Sequence, residues 1–270
     1  LAVDPAMADA YFNQGMVYGF DLKQPDRAIA SWQAALALDP DHLPSHDHLG
    51  AAYRTQGRPE VAIQHWLRVI ELDPRDADAH YNLGVTFAFD LHDTSEAIEH
   101  WRTALEIRPQ HAATHYNMGV VLYGEGRYTG ALKHWKEAVA LDPTDVRGYN
   151  SLGSAYKALA AYEEAIGVWK RSTELDPTYV KAYFNMGLTY LNNLGKEEAT
   201  AVMQRELRDL WTALRSDDDV RVGQTIAYIV LFTCRCRVKR SLDRVVRSDP
   251  SDPSDPSDPS DPSDPSDPAR

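Results

Sequence analysis

Residues 80–87 read HYNLGVTF and residues 115–122 read HYNMGVVL, nearly the same eight residues 35 positions apart. The slot recurs as YFNQGMVY at 11–18, HDHLGAAY at 46–53, YNSLGSAY at 149–156 and YFNMGLTY at 183–190. A repeat of this length constrains a fold more tightly than composition does. Each unit is one supersecondary element that can bury its apolar face only against its neighbours. Four ladders keep one phase: Gly15, Gly50, Gly84, Gly119, Gly153 and Gly187; Trp32, Trp66, Trp101, Trp135 and Trp169; Ala28, Ala62, Ala97, Ala131, Ala165 and Ala199; and Pro5, Pro40, Pro74, Pro109, Pro143 and Pro177. Their steps are 34 or 35 residues.

Each unit holds two apolar-periodic stretches with a short break, in the third unit about Ala77 to Asp90 and about Thr94 to Ile107. Some fourteen residues is an ordinary helix length. The breaks carry stop signals at Gly57-Arg58, Gly126-Arg127 and Gly195-Lys196. Pro25 and Pro59 suit the first turn of a second helix, where the missing N–H is no loss. The residue before each ladder proline, mostly Asp, is pushed out of the helical region and ends that helix. The extra residue of the first and third units falls in the inter-helix turn (GFDLKQPD, AFDLHDTS). Glycine on the first helix and alanine on the second are expected to let two backbones approach, with tryptophan filling the space beside them.

The Gly, Ala, Trp and Pro ladders, with an aromatic residue three after the glycine (Tyr18, Tyr53, Phe87, Tyr156, Tyr190; Leu122 in the fourth unit), resemble the tetratricopeptide repeat family. The resemblance covers residues 1 to about 214. It implies an all-α fold, a right-handed superhelical solenoid of stacked helix–turn–helix units with a concave groove. The expected organisation is the end of an upstream repeat at 1–7, then six repeats at 8–42, 43–76, 77–111, 112–145, 146–179 and 180–214, the last with an atypical capping helix. The opening LAVDP matches LALDP at 36–40, which suggests a chain that starts inside a longer array. It carries no information on compartment; a cytoplasmic setting is the expectation, with a periplasmic or membrane-associated one open.

On a helical wheel, His80, Leu83 and Phe87 share one side with Gly84, while Asp78, Asn82, Val85 and Phe89 fall roughly opposite. In the family that second side lines the groove. Two before each glycine stand Asn13, His48, Asn82, Asn117, Ser151 and Asn185; Val85 and Val120 follow a glycine; Arg147 and Lys181 end a column that begins with Asp9. Asparagine offers one acceptor and two donors, so it can pair with a peptide backbone whatever that peptide's side chains are. The row looks like the asparagine ladder in the repeat region of O-linked N-acetylglucosamine transferases, with His48 and Ser151 interrupting it. These ten residues are the candidate peptide-binding groove. The family's clamp for chaperone C-termini fits less well, because Ala113 stands where its first basic residue should be.

The function expected is a protein–protein interaction scaffold that holds an extended peptide or a partner helix. Two alternatives are the substrate-recognition arm of a larger enzyme, such as a glycosyltransferase, and a self-assembling scaffold. No catalytic residue, cofactor or metal is expected, and the chain is read as not an enzyme. HExxH, GxSxG and phosphate-loop motifs are missing from the sequence, and GEGRYTG at 124–130 lies between two helices rather than after a strand. His46, His80 and His115 share one slot and His65, His100 and His134 another. Equivalent positions on packed helices are ~8–10 Å apart, too far to share one ion. The net charge of −12 offers no basic face for nucleic acid.

Beyond Asp219 the composition shifts. The basic and apolar segment 215–247 holds seven basic residues and one acidic from Val220 to Arg247, and the run TIAYIVLFTC at 225–234, too short for the ~20 residues of a membrane span. Seven Ser-Asp-Pro units fill 248–268, a composition expected to be disordered because it has no apolar face to bury.

Overall fold

A computed structural model of the chain describes residues 5–193. Those residues form an all-α solenoid of eleven helices, with no strand among them. The first helices of the pairs are α1 (Pro5–Met16), α3 (Leu43–Thr55), α5 (Ala77–Phe89), α7 (Ala112–Gly124), α9 (Val146–Ala158) and α11 (Val180–Asn193). The second helices are α2 (Pro25–Leu38), α4 (Pro59–Leu72), α6 (Thr94–Ile107), α8 (Tyr128–Leu141) and α10 (Tyr162–Leu175). Each helix packs on the next along the chain, and successive first helices also touch, α3 on α5, α5 on α7, α7 on α9 and α9 on α11. The second stretch of the sixth unit (Ala199, Met203, Leu207, Leu210, Trp211, Leu214), the 215–247 segment, the Ser-Asp-Pro tail and residues 1–4 lie outside the described residues.

Helix boundaries follow from local chemistry. Pro25 and Pro59 open α2 and α4. Asp76, Asp93 and Asp145 cap α5, α6 and α9 by accepting backbone N–H bonds at 2.8–3.1 Å. The residues before the ladder prolines, Asp39, Asp73, Arg108, Asp142 and Asp176, have φ between −136° and −126° and ψ between 86° and 97°. Proline's ring has forced them into extended backbone, and the second helices stop there.

The turns inside the pairs share one closure. The residue three after the ladder glycine lends its carbonyl to the N–H of the residue that immediately precedes the second helix. The ring spans five residues from Arg58 to Tyr53, Arg127 to Leu122 and Ala161 to Tyr156, at 2.8–2.9 Å. It spans six from Gln24 to Tyr18 and Asp93 to Phe87, at 2.7–2.8 Å. The extra residue of the first and third units is absorbed here, in the first unit through a π-helical turn, Val17–Asp21. Every ring contains one residue in the left-handed region: Gly57 and Gly126, but also Lys23, Ala160 and His92, at φ 52–75°.

The core is a set of indole rings seated on glycines. A Cβ built on Gly15, Gly50, Gly84, Gly119 or Gly153 would lie 2.3–2.6 Å from an atom of Trp32, Trp66, Trp101, Trp135 or Trp169. The bare glycine therefore makes room for the tryptophan itself, more directly than for a second backbone. It also uncovers a backbone acceptor. The indole N–H of Trp101, Trp135 and Trp169 donates to the carbonyl three residues before the glycine, Tyr81, Tyr116 and Asn150, at 3.0–3.1 Å. Trp66 donates instead to the Asp47 carboxylate at 3.0 Å. Trp32 has a buried indole N–H with no partner. Ala28, Ala62, Ala97, Ala131 and Ala165 are all at most 1% exposed.

Candidate binding face

Three asparagines of the predicted row are held from the preceding unit. The Asn117 amide N–H donates to the Tyr81 hydroxyl at 3.2 Å, and that of Asn185 to the Asn150 side-chain oxygen at 3.0 Å. Asn82 reaches the Asp47 carboxylate at 3.5 Å, the same oxygen that Trp66 uses. An asparagine has two N–H donors and a carbonyl. With one N–H spent on a neighbouring helix, each keeps its carbonyl oxygen and its second N–H for another molecule. These three are half-buried and structurally engaged rather than free on an open surface.

The other members differ among themselves. Asn13 is exposed and Ser151 half-buried. His48 belongs to an aromatic cluster, edge-on to Phe12 at 5.2 Å and against Trp32 at 5.3 Å, with Nδ1 3.0 Å from the Pro44 carbonyl. Its ring is part of the packing in the first two units. Val85 and Val120 are half-buried against the central core. Arg147 and Lys181 are exposed.

Several columns converge at one place. A cleft of about 450 Å³ is lined by Tyr81 of α5, Ala113, Tyr116 and Asn117 of α7, Asp142 and Asp145 of the α8–α9 connection, and Arg147 of α9. The Arg147 guanidinium lies 5.6 Å from the centre of the Tyr116 ring, and its Nε is 3.5 Å from the Asp145 carboxylate. His111 stands edge-on to Tyr81 at 4.9 Å. The walls thus offer two aromatic faces, an amide, a guanidinium and two carboxylates. Of the candidate residues, Asn117 and Arg147 line this cleft; Tyr81 and Tyr116 line it too and were not among the candidates. The signal was present in the HYN tripeptides at 80–82 and 115–117, one residue from the asparagine in each case.

Electrostatics along this face are local. The Arg108 guanidinium grips Asp78 through two bonds at 2.7 and 3.0 Å and holds that carboxyl below its usual range. Burial lowers the His111 imidazole. A second arrangement looks catalytic and is a cap. His42 Nδ1 lies 2.8 Å from the Ser45 hydroxyl and Nε2 lies 3.1 Å from Asp9. Ser45 is fully buried, and the His42 side chain also accepts from its backbone N–H, as a residue preceding a helix does. His111, Thr114 and Asp78 take the same places two solenoid steps further, with Thr114 again fully buried and Asp78 at 4.0 Å from His111 Nε2. Among the described residues, no helix is long and apolar enough to cross a membrane.

Comparison with known proteins gives one consistent answer. The family model described as "TPR repeat" matches residues 50–88, 89–126, 121–159 and 161–193, and the one described as "Tetratricopeptide repeat" matches 8–42. No curated protein sequence matches the chain. Among solved structures, the crystal structure of MamA protein is similar at 25% identity and a TM-score of 0.57, covering 65% of this chain and 94% of that one. MamA residues 41 to the end from Desulfovibrio magneticus RS-1 are 24% identical at a TM-score of 0.57, covering 65% and 97%. YrrB, described as a TPR protein with an unusual peptide-binding site, is 20% identical at a TM-score of 0.55, covering 64% and 89%. At these identities the last two speak to the fold alone.

Proposed function

The chain belongs to the tetratricopeptide repeat family, and from that premise we propose that it is an interaction scaffold whose first helices hold an extended peptide of a partner protein. One observation carries this reading: the 450 Å³ cleft where Asn117, Arg147, Tyr116 and Tyr81 meet. An extended peptide advances ~3.3 Å per residue and neighbouring helices lie ~8–10 Å apart. About three peptide residues therefore pass per solenoid step, and Asn82, Asn117 and Asn185 fall at whole numbers of steps. Their free carbonyls accept peptide N–H groups, their remaining N–H groups donate to peptide carbonyls, and the tyrosine faces take an apolar or aromatic side chain.

The test is a pair of substitutions, Asn82→Ala with Asn117→Ala. Each removes an inter-helix hydrogen bond worth about 1 kcal/mol, so the double variant stays folded. Peptides selected from a random display library against the intact chain should lose at least tenfold in affinity for it. Equal affinity, measured by fluorescence anisotropy on a variant of unchanged helicity, would reject the groove.

A further inference from the structure

Three pairs of histidines lie between the first and second helices of successive units. His46 of α3 faces His65 of α4, His80 of α5 faces His100 of α6, and His115 of α7 faces His134 of α8. The Nδ1 atoms stand 3.0, 3.2 and 3.0 Å apart. The first histidine of each pair is held from behind. Nε2 of His46 lies 2.9 Å from the Pro40 carbonyl and Nε2 of His115 lies 3.2 Å from the Pro109 carbonyl; His80 also bonds to the Pro74 backbone. A carbonyl only accepts, so these Nε2 atoms carry the hydrogen. A neutral imidazole has one N–H. The inward Nδ1 of His46, His80 and His115 is therefore a bare lone pair, and the hydrogen between the rings belongs to His65, His100 or His134. An outer nitrogen tied to a backbone carbonyl, which sets ring orientation and tautomer, is the support that metal-binding histidines have.

We propose that each pair is a two-imidazole chelate for a divalent transition-metal ion of the zinc, nickel and copper class, giving three sites one solenoid step apart. Metal–nitrogen bonds of ~2.0–2.1 Å at bond angles between square and tetrahedral set two ligand nitrogens roughly 2.8–3.4 Å apart. The three observed separations fall inside that window; the ring centres stand 5.2–5.4 Å apart, so the two nitrogens face each other nearly head-on, and each ring turns by about 35–45° to aim its lone pair at a shared ion. The hydrogen on Nδ1 of His65, His100 or His134 passes through solvent to the same ring's Nε2. The ion takes its place, and no net proton leaves the neutral pair. Those three rings are half-exposed, which leaves ion and water a path. Among the described residues no group of three metal-binding side chains exists, so water completes the coordination.

A further observation supports the assignment. Tyr53 stacks on His65 at 5.5 Å and Phe87 on His100 at 5.6 Å, which fixes the planes of those rings. The flanking units hold Tyr11 with Ser31 and Tyr149 with Val168 in these slots, which limits the sites to three.

The test uses the full chain without an affinity tag. Calorimetric titration with Zn²⁺ and with Ni²⁺ at pH 7.5 should show three saturable equivalents and no uptake of Mg²⁺, whose hard character disfavours imidazole. His65→Gln, His100→Gln and His134→Gln should each remove one equivalent. Glutamine keeps a donor for the facing Nδ1, and helicity by circular dichroism reports whether the fold survives. Nitrogen NMR of the wild-type chain gives an independent reading, since Zn²⁺ should shift six inward Nδ1 resonances whatever the variants do. No saturable uptake, uptake unchanged in folded variants, or unmoved Nδ1 resonances would overturn the proposal. Ions held by the other histidines or by the acidic tail would produce the second of these results.

Discussion

Gly84 and Gly167 are both helical glycines, and they should respond to substitution in opposite directions. A Cβ on Gly84 would sit 2.4 Å from Trp101 Nε1, whereas one on Gly167 meets nothing within 4 Å. Gly84→Ala must displace a fully buried indole and break its bond to the Tyr81 carbonyl. It is expected to cost about 2–3 kcal/mol, as an overpacked core does. Gly167→Ala should add about 0.5–1 kcal/mol, because alanine loses less backbone entropy in a helix. Urea unfolding of both variants checks the pair, and a neutral Gly84→Ala would contradict the packing described for all five units. Trp101→Ala sets the upper end at about 3–5 kcal/mol.

The element that varies most is the turn inside each helix pair. All five turns place one residue in the left-handed region, and three of those residues have a side chain, Lys23, His92 and Ala160. A Cβ there crowds the following carbonyl at a cost of about 1–2 kcal/mol. Ala160→Gly should therefore stabilise α9 and α10 by about 1 kcal/mol, and Gly57→Ala should destabilise α3 and α4 by a similar amount; thermal midpoints compare the two. Opposite signs are the content of the prediction. Reversed signs, with Ala160→Gly destabilising and Gly57→Ala stabilising, would place the effect in helix propensity instead of the turn. The same element explains how units of 34 and 35 residues share one solenoid. The ring from the post-glycine residue to the start of the second helix takes five residues or six, and both helices keep their packing.

Across the whole molecule, a solenoid has no single centre. Its stability is the sum of local units and their interfaces. The apolar core falls into a cluster from Ala28 to Leu83, a larger one from Ala88 to Ala155 and a smaller one from Ala165 to Met186. Hydrogen exchange should follow that order, with the slowest amides in α5 to α8 and faster ones in α1 and α11, since opening free energy tracks buried contact density. Uniform protection from α1 to α11 would mean that the units open only together. The exposed ion pairs, such as Arg54–Asp90 between units and Arg108–Asp78 within one, contribute little to this gradient, and 0.5 M salt should leave it in place.

What the linear sequence determined is the repeat: its period, the class of helix pair, the residues that face inward, and the prolines and capping aspartates at helix ends. These depend on neighbours within a helix turn or on a slot compared with its own copies, and both are readable along one line. What only the tertiary structure decided are pairings between different slots. Glycine meets the tryptophan 16 or 17 residues on; His80 meets His100 and not His46; Asn117 leans on Tyr81 and closes a cleft with Arg147. Comparing histidines within one slot measured the distance between units and missed the 3 Å contact inside each. The physical reason is that packing two helices fixes a rotation about each axis, and that rotation chooses which ridge faces which groove. Periodicity reports that such a rotation exists, and only the packed helices give its value.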